Sequence, residues 1–306
     1  MTEKIFNENF SAGTEALRIA TNAGAREIIE RYGLNTKKRL GQHFLVDPRV
    51  VKKITDAAQI SGDDCVLEIG PGIGGLTQAL AETAGRVCAV ESDASLVPVL
   101  RGIFGLHKNV TVIHGDALKI NICECLRQTG CSRFKAAANL PYGIQSEIMA
   151  RLLEAGNFFE SVTVMMQRDA AERMFALPGT DGYGIPALAA RYRADGGIAA
   201  YVPPNCFMPR PRVESAVICL KMLPEPRVAA DETTLFKIIK AAFSSRRKTL
   251  VNCLFNAEIF PPVTDKEQIA NVLRSCGIAP EARGESLSLE QFSSLAENFF
   301  TAVNTI

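Results

Sequence analysis

The sequence predicts a doubly wound α/β domain followed by a small all-α domain. Two patterns carry that expectation. From Thr36 to about Met222, short apolar runs alternate with helix-like stretches. Strands laid side by side with helices on both faces read this way along a chain. Beyond Leu223-Pro224-Glu225-Pro226, the clearest linker, apolar residues recur at three and four in four successive stretches, the period of helices with one buried face. The expected division is therefore an N-terminal appendage over 1–35, the α/β domain over 36–223 and the helical domain over 224–306.

Within the appendage a helix is expected from Ala23 to Tyr32, stopped by Gly33. The run Val66-Leu67-Glu68-Ile69 then leads into Gly70-Pro71-Gly72-Ile73-Gly74-Gly75, and a helix-like stretch follows from Leu76 to Ala84. Glycines at such a turn let the backbone bend sharply and lie against a ligand that a Cβ would push away. Val87-Cys88-Ala89-Val90 ends at Glu91, about twenty residues past the first glycine, where a carboxylate can bind ribose hydroxyls. Val110-Thr111-Val112-Ile113 ends in His114-Gly115-Asp116, and Phe134-Lys135-Ala136-Ala137-Ala138 ends in Asn139-Leu140-Pro141-Tyr142. A fifth run spans Ser161 to Met166, and Ile198–Val202 and Ala216–Lys221 read as the last strands. In an open parallel sheet the carboxyl ends of the strands share one edge, where ligands bind. The helices expected beyond the linker are Thr233–Phe243, Lys248–Phe255, Lys266–Cys276 and Leu289–Phe300, with Asp265 and Ser288 as N-caps.

Asn139-Leu140-Pro141-Tyr142 is the most informative stretch. It sets an amide, two backbone carbonyls stiffened by proline and an aromatic ring side by side. That set suits an exocyclic amine on a flat ring: the amide oxygen and a carbonyl accept its two N–H bonds, and Tyr142 stacks on the ring. A nucleobase amine such as that of adenine fits the description. Singly, each element has a plainer reading. Asn and Pro favour turns, Glu91 and Asp116 suit helix caps, and a glycine turn alone is shared by nicotinamide, flavin and S-adenosylmethionine sites. The ordered set, each member ending an apolar run, argues for a site.

Lys38-Arg39-Leu40-Gly41-Gln42-His43-Phe44-Leu45, Leu67-Glu68-Ile69-Gly70-Pro71-Gly72, Asn139-Leu140-Pro141-Tyr142 and the segment from Phe207 to Val217 occur in that order. Together they resemble the bacterial small-subunit ribosomal RNA adenine dimethyltransferases over roughly residues 22–300. The resemblance implies a Rossmann-like, S-adenosylmethionine-dependent methyltransferase domain with a small C-terminal all-α domain. It implies N6-dimethylation of two adjacent adenines near the 3′ end of 16S rRNA. It also implies Gly70 beside the methionine or ribose part of the cofactor, Gly72 in the same turn, Glu91 at the ribose hydroxyls and Asp116 at the cofactor's adenine amine. His43 and Leu45 would cover the cofactor, and Asn139 would border both cofactor and target. Leu140, Pro141 and Tyr142 would hold the target base, with Phe207 closing its other face. Two departures stand out. The family commonly has Asn at His43, where a protonated ring would repel the sulfonium, so a neutral His43 is expected. It often has Asn at Gly143, whose glycine loosens the backbone there.

Composition bounds the partners. The net charge is +1, modest for a protein that must meet phosphates. Local clusters offset this: Lys37-Lys38-Arg39, Arg191 with Arg193, Arg210 with Arg212, and Arg246-Arg247-Lys248. Nine cysteines without a CxxC pair read as free thiols in a reducing cytoplasm. No metal site is expected, since Cys123 and Cys125 have the wrong spacing for zinc. No apolar run approaches the roughly 20 residues of a membrane span, and the N-terminus lacks a basic-then-apolar signal pattern. With the resemblance, the expectation is a cytoplasmic monomer that binds the small ribosomal subunit. The alternatives are a non-catalytic assembly factor of the same fold, a large-subunit rRNA methyltransferase (whose members usually have Ile at Leu140) and a nicotinamide-dependent oxidoreductase. The last leaves the tetrapeptide without a purpose.

Overall fold

The structure is a computed structural model that describes residues 18–34, 43–257 and 265–304, with side chains to 299. The chain divides into two compact units. One runs through Ala171 and resumes over Gly196–Met222; the other takes Glu172–Asp195 and continues from Leu223.

The first unit opens with helix α1 (Asn22–Arg31), capped by the Thr21 hydroxyl, which accepts the Gly24 N–H. The order is then β1 (Phe44–Leu45), α2 (Pro48–Ala58), β2 (Cys65–Ile69), α3 (Gly75–Thr83), β3 (Arg86–Glu91), α4 (Val97–Phe104), β4 (Val110–His114) and α5 (Ile122–Arg127). Along the chain there follow β5 (Phe134–Asn139), α6 (Gln145–Glu154), β6 (Phe159–Gln167), α7 (Arg168–Arg173), α8 (Ile185–Arg193, in the second unit), β7 (Ala194–Val202), β8 (Phe207–Met208) and β9 (Ser215–Met222). Seven strands form one sheet in the order β4-β3-β2-β5-β6-β9-β7. β4 through β6 are parallel, and β9 runs antiparallel to β6. Every residue of β2 is buried, as expected of a strand covered on both faces. The chain winds outward from β2 to β4 on one side and from β5 to β6 on the other, so the switch point lies between β2 and β5. Gly70 follows β2 and Asn139 ends β5, so both stand at that crevice.

β1 and β8 form a two-stranded antiparallel ribbon that sequence periodicity did not reveal, pairing Phe44 with Met208 and Leu45 with Phe207. Two residues are too few to show a period. Val46 N–H extends the ribbon by donating to the Cys206 carbonyl at 2.8 Å. The ribbon ties the segment before the glycine turn to the segment after β7.

The second unit packs α8 with α9 (Glu232–Ala242), α10 (Leu250–Asn256), α11 (Lys266–Ser275) and α12 (Leu289–Asn304). Its core includes Leu188, Tyr192, Leu235, Ile239, Leu273 and Phe292. The expected boundary therefore needs correction. Glu172–Asp195 lies before the linker yet belongs to this unit, because Ala187, Leu188 and Tyr192 of α8 bury their side chains among its helices. Asp265 accepts the Gln268 N–H at 2.8 Å. Ser288 and Gln291 form a reciprocal capping box.

The cysteine expectation also fails in part. Cys65 and Cys131 are joined by a disulfide, with Cα atoms 6.5 Å apart; the other seven are free. Cys65 pairs with Phe134 across β2 and β5, which brings Cys131, three residues earlier, alongside it. Sheet pairing over 66 residues of sequence leaves no local signature. Among the described residues, no helix is long and apolar enough to cross a membrane.

At the amino end of β5, Lys135 Nζ donates to Asp64 Oδ2 at 2.9 Å and to the Gln59 carbonyl at 2.8 Å. Burial pushes the Asp64 carboxyl up, but Lys135 and the Ser61 N–H and hydroxyl outweigh it, leaving the group below its ordinary range. Its contribution to stability is thus present above the unfolded carboxylate pKa and lost as pH falls through the folded one. Lys135→Met is expected to cost about 3 kcal/mol at pH 7, with a smaller difference at pH 3, as read from urea unfolding midpoints.

Candidate active site at the switch point of the sheet

Between β2 and α3 the backbone bends through three left-handed glycines, Gly70 (φ 69°), Gly72 (φ 61°) and Gly74 (φ 90°). A Cβ on Gly74 would stand 2.5 Å from the Phe104 ring, and one on Gly72 3.1 Å from the Phe44 ring. Packing and dihedral angle both demand glycine there. The turn leaves a cavity of about 240 Å³, floored by strand ends and walled by the segment around β1.

Two carboxylates border it. Glu91, at the end of β3, is buried and accepts the Gly72 N–H at 3.1 Å and the Asp93 N–H at 2.8 Å. Burial raises its pKa despite those bonds. Glu68, inside β2, is 1 % exposed. Burial first, and then the neighbouring Glu91 charge, push it up to about 8. Its Oε2 has no hydrogen-bond partner.

The Asn139 side chain is held at its nitrogen end. Its Nδ2 donates to the His43 carbonyl at 3.2 Å, while Oδ1 is buried without a partner. The next residue, Leu140, donates its N–H to the Met165 carbonyl at 2.9 Å, extending the pairing of β5 with β6 by one bond. The Pro141 carbonyl accepts the Ile144 N–H at 3.2 Å. Tyr142 shares a 2.6 Å hydrogen bond with the Ser215 hydroxyl, and burial raises its phenol pKa. The His43 ring lies 5.3 Å from the Tyr142 ring, tilted by 33°. His43 Nδ1 is 2.7 Å from the Pro209 carbonyl; a carbonyl only accepts, so Nδ1 carries the proton.

Of the residues singled out in the sequence, His43, Leu45, Gly70, Gly72, Glu91, Asn139, Leu140, Pro141 and Tyr142 all line this cavity. Asp116 and Phe207 do not. Asp116 instead accepts the Leu118 N–H at 2.9 Å and pairs with Lys119 at 3.4 Å. Those contacts, the Leu118 bond foremost, hold its carboxyl below the ordinary range. Phe207 is 4 % exposed and packs in the core beneath β1, among Leu45, Leu76 and Val217. Pairing with Leu45 turns it into support for the cavity wall rather than a lid. Glu68 is the residue sequence reasoning passed over. Its signal was an acid inside an apolar run, since a carboxylate is rarely buried without a reason.

Residues 33–300 match the model of the ribosomal RNA adenine dimethylase family. The chain belongs to that family. It is 46% identical over 275 residues to the ribosomal RNA small subunit methyltransferase A of Lachnoclostridium phytofermentans, covering 89% of this chain and 94% of that protein. A dimethyladenosine transferase from Plasmodium falciparum has a similar structure, with a TM-score of 0.66 at 25% identity over 84% of this chain and 97% of that one. The 23S rRNA methyltransferase ErmE gives a TM-score of 0.60, again at 25% identity, over 84% and 99%. As a dimethylase-family member the chain is an rRNA adenine methyltransferase, and S-adenosylmethionine is its methyl donor.

Glu68 binds a proton more tightly in the fold than in the unfolded chain, so ionising it opposes folding increasingly from about pH 4.5 to about 8. Glu68→Gln keeps the shape of the protonated acid. Near pH 4 the cofactor-free variant is expected to melt with wild type, and at pH 8 to melt higher, by scanning calorimetry. Parallel melting curves across that range would show Glu68 to titrate normally.

Proposed function

We propose that the chain transfers methyl groups to the N6 amines of two adjacent adenines in a hairpin loop near the 3′ end of 16S rRNA. It acts on the small ribosomal subunit, in the cytoplasm and as a monomer. The observation that carries this is Asn139: its amide nitrogen is held by His43 while its buried oxygen waits without a donor.

The donor set of the cavity fits S-adenosylmethionine. That molecule brings a sulfonium, an ammonium and a ribose diol, and the cavity offers two buried carboxylates, one with an oxygen lacking a partner. When bound, it supplies a methyl group already activated by positive sulfur. Glu91 would accept from the ribose hydroxyls, Gly70 and Gly72 would lie against the cofactor, and His43 and Leu45 would close over it. Asp116 is assigned to the cofactor's adenine amine by family resemblance; its carboxylate turns to Leu118 and Lys119, so it must swing to take that role.

The chain's task is alignment. Positioning alone supplies about 7–11 kcal/mol of a barrier. Adenine's amine is a weak nucleophile because its lone pair feeds the ring. Asn139 Oδ1 and a backbone carbonyl accept its two N–H bonds, which favours a tetrahedral nitrogen and aims the lone pair. Leu140 is the better carbonyl, since that of Pro141 already accepts from Ile144. Tyr142, pinned through its hydroxyl to Ser215, stacks on the base, worth roughly 1–3 kcal/mol. Extruding a base costs a few kcal/mol, least where it is unpaired, so a loop is the fitting target. The proton leaves to solvent after transfer.

Phosphate contacts fall to exposed cations. Arg246, Arg247 and Lys248 are all exposed, as are Arg210 and Arg212. Lys37, Lys38 and Arg39 lie outside the described residues.

Labelled methyl groups are expected to enter undermethylated small subunits and not large subunits. Asn139→Ala is expected to lower that transfer by about two to three orders of magnitude, the scale for one positioned hydrogen-bonding group, with a much smaller loss of cofactor affinity by calorimetry. Undiminished transfer in the variant would remove Asn139 from the mechanism.

A further inference from the structure

Tyr201 lies on β7, the last strand of the sheet order, and is 49% exposed. The Arg168 guanidinium stands over its ring, 4.8 Å from the centroid. Arg168 is itself held: its backbone N–H donates to the Glu214 carbonyl at 2.9 Å and its Nη1 to Glu214 Oε2 at 2.8 Å.

This corner is tied to the cavity mouth by a short chain of contacts. Tyr142 bonds to Ser215 at 2.6 Å, and Ser215 pairs with Gln167, the residue before Arg168, across β6 and β9. Gln167 is bonded in both directions to Gln145 at the start of α6. The Tyr201 ledge is thus fixed in register with the ring assigned to the target base. Arg210, Arg212 and Val213, in the segment leading to Glu214, are exposed, as are the acids Glu214 and Asp169 beside Arg168. Aromatic surface backed by guanidinium is the surface on which unpaired nucleotides stack.

We infer that Tyr201, backed by Arg168, is a stacking site for an unpaired nucleotide that flanks the target adenine, with Arg210 and Arg212 at the adjoining phosphates. The inference rests on the RNA methyltransferase reading of the cavity. It assigns to the chain a second base contact outside that cavity.

The test measures binding of a fluorescent RNA hairpin, carrying the two adjacent adenines in its loop, to the full chain across salt concentrations. Tyr201→Ala is expected to weaken binding about tenfold. Its salt slope should not change, because no phosphate contact is lost. Its affinity for S-adenosylmethionine should match wild type, and Tyr201→Phe should bind as wild type does. An abasic nucleotide scanned through the positions beside the adenines should, at one of them, cost wild type the same factor and cost Tyr201→Ala nothing further. If wild type methylates the hairpin while Tyr201→Ala binds it equally well, the inference falls and the functional reading stands. Additive losses at every abasic position overturn it too, as does normal hairpin binding with lost subunit binding, which would mark a protein partner. A wild type that methylates undermethylated small subunits but does not bind the hairpin overturns the inference alone, and one that methylates neither overturns both.

Discussion

One hydrogen bond decides what the cavity can do. Asn139 Nδ2 donates to the His43 carbonyl, which opposes a turn of the amide, and in this cavity-lining residue the buried oxygen has no partner. Without that donation the amide could present either end, and an amine-accepting site would become an amine-repelling one half the time. The bond also needs His43 to be where it is. That position is set by the β1–β8 ribbon, by the Val46 bond to Cys206 and by the His43 ring's contact with Pro209. A residue early in the chain is thereby held by residues more than 160 positions later, and the Asn139 amide inherits its orientation from both.

The electrostatics follow the same economy. Two carboxylates are buried beside a cavity in a chain whose net charge is +1. Burial makes the acids costly to ionise, as the raised values of Glu68 and Glu91 show. A cationic ligand would relieve that cost, and the sulfonium donor is cationic.

Much of this was open to sequence reading. Strand ends are chemically marked: Glu91 ends a β-rich run, Asn139 ends another, and the left-handed glycines follow a third. Parallel topology then requires those ends to meet, so the crevice could be assembled before any coordinates. What stayed hidden depends on partners distant in sequence. The Cys65–Cys131 link arises from β2 lying beside β5, and β1 and β8 exist only because they pair with each other. Phe207 read as a lid because its neighbours are motif residues; pairing with Leu45 turns it inward. Glu172–Asp195 precedes the proline linker, yet Leu188 and Tyr192 fold with the helices beyond it. Asp116 bears the right chemistry at a strand end, but a local turn and Lys119 hold its carboxylate.

The most direct measurement is a crystal structure of the chain with S-adenosylhomocysteine and adenosine. The predicted result places the adenine N6 within hydrogen-bonding distance of Asn139 Oδ1 and the Leu140 carbonyl, the ring stacked on Tyr142 and the nitrogen facing the sulfur. An adenine bound with its amine toward solvent, or an Asn139 amide rotated so that its nitrogen meets the base, would contradict it.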